Sequence, residues 1–574
     1  MLPGSWSTLS FLILPILVSG LPFQARQERR SVTLPFESKR VASGGLQSRD
    51  GLAGVVGVGD LADLFYTVSV QVGSTTTAVN LDTGSSDLWV MSDACRTKTC
   101  QRSTSQPYSS SSGKSTGTSV ALAYGDSTTG THASGPVVLD TVAVAGLSMD
   151  DQPFAAVNDT NNSAVQNGGA GIFGLGFPAQ SFVQAAVVNQ EVRPQLSDNG
   201  IEIAHLFGIG QQFGTPATTD EFVNNIPTYG PLVSRLTTSG KIEQPMFAIT
   251  LQRNTIDVSG HGQITIGELP QGVDNSSITW VPVRLYSPAD GGLNPPTFAQ
   301  NEVYPLRWEI PLDGIYLDGQ KLPDTTLTGV STQLSALLDT GNSIIRGPQD
   351  VVNDILSSVS PAFAANNDAQ PTFPCATAHT LAFQIGGKMF PIDPRDFVSQ
   401  HREGDATTCV ANNVVATDAP STGALFSWSL GDPFFKSNLV VFYYGNLTHP
   451  SVDPPRIGFL SNVPQNASEL LQDAVHDAQQ DGGQFESTSN AAPTATTLLT
   501  VDDTPTTSAA SVVSRTTVAT NIAAVSTAAP SASTSPAPSL RSGNQSSSSA
   551  LRSVSCHALL YAVLPLLFPL STML

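Results

Sequence analysis

From Tyr66 to Val90 the chain reads YTVSVQVGSTTTAVNLDTGSSDLWV, with apolar and polar residues alternating on either side of a glycine. A period of two puts one face of a strand on a core and the other in water, and the glycine marks a turn, so this stretch predicts a β-hairpin. Its second strand runs into Asp82-Thr83-Gly84. A second apolar run, LSALLDTG at residues 334–341, ends the same way in Asp339-Thr340-Gly341, and the chain holds no third copy. Two halves therefore repeat one device at the end of a strand.

An Asp that leaves a buried strand into a Thr-Gly turn can have its carboxylate held by backbone N–H groups, and the glycine lets a second backbone come close. Two such loops face to face bring the carboxyls of Asp82 and Asp339 into contact. Like charges about 3 Å apart share one proton and titrate as a unit. The ionised member can take a proton from water while the protonated member hydrogen-bonds to a carbonyl, which is acyl hydrolysis without a covalent intermediate. A single Asp-Thr-Gly is an ordinary turn. Two copies, each after an apolar strand, point to chemistry instead.

The ends of the chain follow different patterns. LSFLILPILVSG (residues 9–20) is apolar, short for a membrane span and followed by small residues, which reads as a secretory signal over residues 1–20. RQERRSVTLPFESKR follows, with dibasic pairs at Arg29-Arg30 and Lys39-Arg40, and reads as a propeptide over residues 21–40. ASELLQDAVHDAQQ (467–480) has helical character, and residues 487–549 are almost entirely Ser, Thr, Ala, Val and Pro. Such a composition buries too little apolar surface to offset ordering entropy, so residues 463–543 are expected to form an extended stalk. The end, HALLYAVLPLLFPLSTML, follows a Ser-rich spacer, in the order of a removable GPI-attachment signal at 544–574. The candidate attachment residues are Gly543, Asn544, Ser546, Ser547 and Ser548. A retained membrane helix fits less well, because Pro565 and Pro569 interrupt the run.

Composition adds to this picture. Gly 48, Pro 40 and 13% charged residues suit many short strands joined by turns. The formal charge is −20, with +3 on residues 1–40 and −23 on the rest. No basic patch for nucleic acid is present, and the basic leader could dock on the acidic body by charge and be released as carboxylates protonate. In a secreted chain, Cys95 with Cys100 can close a small loop and Cys375 with Cys409 a larger one, leaving Cys556 in the terminal signal. Six N-x-Ser/Thr sequons, at Asn158, Asn161, Asn275, Asn446, Asn466 and Asn544, fit the secretory route. Neither the cysteines nor His132 and His261 have metal-ligand spacing, so no metal or organic cofactor is implied.

With these motifs in hand, the chain resembles the pepsin-like aspartic endopeptidases, and more narrowly their GPI-anchored, yapsin-like fungal branch, over roughly residues 60–461. LDTGSSDLWV and LLDTGNS resemble the two active-site loops, and AYGDSTTGTHASGPVVLDTVAVAGL the flap hairpin. GGAGIFGLGF resembles the apolar loop behind the first aspartate. GQITIGEL, WVPV, RWEIPLDGIYLDG, SLGDPFFKSNLVVFYYG and RIGFL resemble strands of the second lobe. The resemblance implies an all-β, bilobal pepsin-like fold with pseudo-twofold lobes at 41–235 and 236–462 and a central cleft. It implies that Asp82 and Asp339 are catalytic, that Thr83 and Thr340 tie the loops together, and that Gly84, Gly341 and Ser343 support them. Ser85 would hydrogen-bond to Asp82, and Tyr124 and Gly125 would cover the substrate, with Trp89 beneath and Ile172 lining a pocket. The cysteine pairs fall where the family has disulfides.

The chain departs from the pattern in three ways. Asn342 stands where the family usually has Thr, and its amide is expected to donate to Asp339 and shift the pH optimum. Arg346 replaces a small or polar residue. The 257-residue spacing between the aspartates is long, with the excess in residues 178–224 and 285–303. Asp126 at the flap fits a preference for Lys or Arg near the cut, as in yapsins, but acidic flaps also occur in relatives that prefer apolar residues. The expected partners are peptide or protein substrates and, through the anchor, the outer face of the plasma membrane or the cell wall; the chain is expected to act as a monomer. A catalytically inactive binding protein of the same fold is the alternative, and the intact Asp82, Asp339, Thr83, Thr340 and Tyr124 weigh against it. A retaining glycosidase would place its carboxyls about 5 Å apart on unlike loops, whereas these loops are near copies.

Overall fold

A computed structural model describes residues 52–61, 63, 65–125, 130–197, 215–327, 334–416 and 426–500. The fold is mostly β, and the alternation at 66–90 becomes the strands Tyr66–Val72 and Thr75–Asp82, paired antiparallel with Val72 opposite Thr75 across the Gly73 turn. Gly73 has φ +56°, a conformation that a side chain would strain. Val68, Val70, Val79 and Leu81 point into the core and are fully buried.

Each Asp-bearing strand sits in the same arrangement of neighbours. Thr75–Asp82 runs parallel to Gly171–Gly174, which is antiparallel to Leu88–Met91, itself parallel to Leu147–Val157. In the second half Ser335–Leu338 runs parallel to Trp428–Leu430, which is antiparallel to Ile345–Gly347, itself parallel to Val414–Ala416. In both halves the strand after the Asp-Thr-Gly turn thus lies one strand away from the strand before it. The intervening strand holds the turn open and fixes where each aspartate emerges.

A third sheet joins the two halves. Its seven strands run in the order Thr279–Pro282, Arg456–Ser461, Asn438–Tyr443, Met246–Thr250, Gln263–Ile266, Leu52–Gly57 and Thr496–Thr500. The strand Leu52–Gly57 therefore does not follow the expected division at residue 235, because its partners are residues 263–266 on one side and 496–500 on the other. Above this sheet Trp308 packs against Phe177 (ring centroids 4.1 Å apart), Phe442 and Tyr444. Aromatic contacts of this kind fasten first-half and second-half residues into one core.

The expected stalk begins too early at residue 463. Ala467–Gln480 is a helix whose Leu471, Val475 and Ala478, spaced at i, i+4 and i+7, are buried, and it packs on the helix Pro394–Phe397. Beyond it Glu486–Ser487 pairs with Thr255–Ile256, Ser489–Asn490 with Gly59–Leu61, and Thr496–Thr500 with Leu52–Gly57. This strap returns along the body and supplies the outermost strand of the joining sheet. The β-branched run TATTLLTV suits such an edge position, a signal that bulk composition conceals.

The excess in residues 178–224 is largely helical where described, as Phe182–Ser197 and Pro216–Asn224. It meets the second long segment at Asp220, whose carboxylate accepts from the backbone N–H of Thr297 at 2.6 Å and from its hydroxyl. Both cysteine pairs are bonded, Cys95 to Cys100 and Cys375 to Cys409. Asn158, Asn161, Asn275, Asn446 and Asn466 are all exposed. The signal at 1–20, the propeptide at 21–40, Asp126, the 501–543 part of the stalk and the terminal signal lie outside the described residues. So do Gly543, Asn544, Ser546, Ser547 and Ser548.

Candidate active site

The two Asp-Thr-Gly turns interlock by reciprocal hydrogen bonds. Thr83 N–H donates to the Thr340 hydroxyl at 3.1 Å and Thr340 N–H to the Thr83 hydroxyl at 3.0 Å. Each hydroxyl in turn donates across the halves, Thr83 to the Leu338 carbonyl at 2.7 Å and Thr340 to the Leu81 carbonyl at 3.0 Å. All four residues are buried. The turns are held as one unit.

The glycines make room for this approach. A Cβ on Gly84 would lie 2.4 Å from an oxygen of Asp339, and one on Gly341 would lie 2.5 Å from an oxygen of Asp82. Each glycine is thus the place where the other half's carboxyl passes, and any side chain there would push the dyad apart.

The two carboxyls do not have equal surroundings. Asp82 accepts from Gly84 N–H at 2.8 Å and from the Ser85 hydroxyl at 2.5 Å. Asp339 accepts from Gly341 N–H at 2.9 Å. Burial raises the pKa of both, with Ser85 and Gly84 working downward on Asp82, whereas on Asp339 the neighbouring Asp82 charge adds to burial and holds it well above the usual range. These surroundings favour the charged form more on Asp82 than on Asp339, and the two carboxyls titrate as a unit.

Asn342 does not contribute as the sequence leads one to expect. Its amide N–H donates to the Ser429 hydroxyl at 2.9 Å, and its oxygen accepts from Ile344 N–H at 3.3 Å, so the amide is not spent on Asp339. Ser343 is half-buried and makes no hydrogen bond to either carboxyl. Arg346 lies opposite Ser429 in the ladder and its charge works downward on Asp339. A hydroxyl in place of the amide would favour the Asp339 anion, so Asn342→Thr should move the alkaline limb of the kcat/KM profile to lower pH. An unmoved or opposite limb in rate measurements across pH would refute this account of the asymmetry.

Tyr124 closes the other side. Its hydroxyl accepts from the Trp89 indole N–H at 2.8 Å, and Trp89 pairs with Ile172 in the sheet. Trp89 is fully buried, so it serves the core as well as holding Tyr124. The loop GGAGIFGLGF lies behind the first aspartate, and bonds that the sequence does not signal fasten it there. Leu175 N–H donates to the Asp82 carbonyl at 2.8 Å, and the Leu175 carbonyl accepts from the Trp308 indole at 2.9 Å and the Tyr444 hydroxyl at 2.7 Å. These partners stand far apart along the chain, so no local pattern signals them. Among the described residues no group of three or more His, Cys, Asp or Glu is placed to hold a metal ion.

Buried carboxyls around the site set a stability window. Burial pushes Asp87, at the start of the Phe182–Ser197 helix, up to about 6, despite hydrogen bonds from Ser181, Phe182 and Val183. Asp432 and Glu309 are raised by burial too. A carboxyl raised on folding stabilises the fold below its unfolded pKa of about 4, and that stability is lost as pH rises through its folded value. Asp396 has the opposite sign, since burial is outweighed by Arg253 and Lys436, which bring it down to about 2. Its stability is present above its unfolded pKa and is lost as pH falls through about 2. The melting temperature should therefore be highest in mild acid and fall as pH rises through about 6. Calorimetry showing a flat or rising melting temperature from acid to neutral pH would contradict it.

Comparison with known proteins agrees with this geometry. The family described as Eukaryotic aspartyl protease matches residues 65–209 and 206–449. The chain is 24% identical over 446 residues to an aspartic protease of Phaffia rhodozyma, covering 77% of this chain and 84% of that protein. It is 25% identical over 391 residues to embryonic pepsinogen of Gallus gallus, covering 67% and 78%. To major aspartyl peptidase 1 of Cryptococcus neoformans it is 24% identical over 425 residues, covering 71% of each.

Proposed function

The chain belongs to the eukaryotic aspartyl protease family and is an aspartic-type endopeptidase, and we propose that Asp82 and Asp339 carry its reaction as a dyad with one shared proton. The observation that carries this reading is the reciprocal threonine bonding that presses two near-identical Asp-Thr-Gly turns together with unequal carboxyls. Asp82, ionised, accepts a proton from water as the water oxygen attacks the peptide carbonyl. Asp339 gives its proton to the carbonyl oxygen, forming a neutral tetrahedral diol. Return of a proton to the departing nitrogen, with collapse of the diol, breaks the C–N bond and leaves an acid and an amine. Tyr124, held by Trp89, covers the substrate, and Ile172 lines the pocket beside it.

The substrate lies in a cleft between two lobes, one built on the Asp82 turn and one on the Asp339 turn. The protein is made with a leader, activated by removal of a basic propeptide, and held at the outer face of the plasma membrane or in the cell wall as a GPI-anchored, yapsin-like monomer. The apolar ends, the dibasic pairs, the Ser-rich spacer and five exposed sequons support that route. Asp126 supports a preference for a basic residue near the cut.

The test is cleavage of a mixed peptide library by the processed protein from about pH 3 to about pH 7, with and without pepstatin. Acidic cleavage abolished by pepstatin is expected. Cleavage that resists it, or none after the leader is shown to be removed, would overturn the dyad reading. Release of activity from cells by a phosphatidylinositol-specific phospholipase tests the anchor separately.

A further inference from the structure

Arg346 brings a fixed positive charge to the Asp339 side of the dyad. It lies opposite Ser429 in the antiparallel pairing of Ile345–Gly347 with Trp428–Leu430, and Ser429 lies opposite Leu337 in the parallel pairing with Ser335–Leu338. Directly opposed residues share a face of a sheet. Arg346, Ser429 and Leu337 therefore form a row on one face, and alternation along Leu337-Leu338-Asp339 returns Asp339 to it. The ladder does reach that far, since Asp339 N–H donates to the Leu430 carbonyl at 3.1 Å. The opposite face is core. Trp428, Leu430 and Ile345 are buried there, and a Cβ on Gly347 would lie 2.3 Å from the Trp428 ring. Asn342, whose N–H donates to the Asp339 carbonyl at 3.2 Å, marks the Arg346 face a second time by reaching the Ser429 hydroxyl.

Arg346 and Asp339 are 6% and 2% exposed, and the charge of the one is felt at the other. Little water or salt screens charges so placed. The carboxyls differ in what else supports their charge: the Ser85 hydroxyl donates to Asp82, whereas among the described residues no side-chain hydroxyl donates to Asp339. The remaining charged groups around Asp339 are otherwise engaged. Asp82 faces it from the first turn. Glu309, opposite Leu337, accepts from Arg284 at 3.0 Å and from the Ser335 and Tyr286 hydroxyls. Asp432, on the helix after Gly431, is kept high by burial, with Lys436 working downward and Asp63 and Asp339 upward. Lys436 itself lies on Asp63 and Asp396, at 3.1 and 3.2 Å. Asp350, on the helix after Pro348, accepts from Thr325 and Thr326.

We propose that Arg346 is a positioning residue for the dyad: from the neighbouring strand it supplies to Asp339 the support for negative charge that the Ser85 hydroxyl supplies to Asp82, and so fixes how far toward neutral pH the pair keeps its shared proton. The proposal deepens the endopeptidase reading and rests on it. It joins the two departures in this turn, because the amide of Asn342 is spent on Ser429 while a cation stands on the same face. Arg346 acts through Asp339 and has no part in the proton transfers.

The experiment follows initial rates of cleavage of one peptide from about pH 3 to about pH 7 by the processed full chain, at a temperature where every variant stays folded, and reads the midpoint of the alkaline limb of kcat/KM. Removing the cation disfavours the doubly ionised pair, so Arg346→Met should move that midpoint to higher pH by roughly half a unit or more. Arg346→Lys keeps the charge and should keep most of the parent position. Asn342→Thr moves the midpoint the other way, so its combination with Arg346→Met should lie between the two single variants. Arg346→Gln, polar and neutral, should shift as the Met variant does and replaces it if that variant does not fold. A merely structural arginine would lower the rate at every pH and leave the midpoint in place. Raising salt from about 0.05 to about 0.5 M should preserve the difference between parent and neutral variant, because the charge is buried. An unmoved midpoint in the neutral variants, an equal shift in Arg346→Lys, or a difference that salt abolishes overturns the inference and leaves the endopeptidase reading standing. No cleavage by the parent would instead reject that reading, and the inference with it.

Discussion

Asp82→Asn and Asp339→Asn should each lower kcat by about a thousandfold or more, and the double variant should be no worse than either alone. In Asp82→Asn the amide oxygen, set where Oδ1 stands, would still accept from Gly84 N–H, and the NH2 in place of Oδ2 would donate to the Ser85 hydroxyl, so the turn keeps its shape while the base is gone. At position 339 the amide holds the geometry but cannot pass a proton to the carbonyl oxygen. Two groups that act only as a pair give non-additive losses. The melting temperatures of both variants should match or exceed the parent's toward neutral pH, because each substitution removes a carboxyl that burial disfavours in its charged form. Single-turnover rates and calorimetry on the three variants check both statements. More than a tenth of the parent rate in either single variant would remove that residue from the chemistry.

Ending the chain after Asn462 should cost about 4 kcal/mol or more of stability relative to a chain that ends at Thr500, from the buried side chains of Leu471 and Val475 and the helix they carry. The estimate leaves out the strand pairs, which add to the loss: Leu52–Val56 gives up its partner on one edge, and Gly59–Leu61 and Thr255–Ile256 each give up a neighbour. An exposed edge strand also invites pairing between chains, so the shorter protein should aggregate as it unfolds. Denaturant melts of both secreted forms decide the matter. Equal midpoints would mean that the strap rests on the body without stabilising it, as a plain stalk would.

These two outcomes also mark where the sequence was informative. The hairpin at 66–90, the paired Asp-Thr-Gly turns and the Tyr124-to-Trp89 contact follow from short-range pattern and from resemblance, because alternation and turn chemistry act over a few residues. Asn342 could not be read this way. What its amide does depends on Ser429, 87 residues later, which the fold brings to 2.9 Å. The strap was hidden because it runs into the Ser-, Thr- and Pro-rich tract that begins at residue 487, while its burial depends on three helix positions and its pairing on an edge that Leu52–Gly57 leaves open. The same strand was allotted to the first lobe by its place in the chain, although it forms its ladder with residues 263–266 and 496–500.

The strap also determines how the molecule would carry a load. A protein tethered through its C-terminal chain feels every tug of its surroundings through the residues nearest the tether. Here tension applied beyond Thr500 reaches first the ladder between Thr496–Thr500 and Leu52–Val56, and next the short pairings at 489–490 and 486–487. The Asp82 and Asp339 turns lie on other strands, Thr75–Asp82 and Ser335–Leu338. If the C-terminal chain is anchored, the strap would yield, strand by strand, before force reached the threonine clasp, and the outer strands of the joining sheet would act as a mechanical fuse for the dyad.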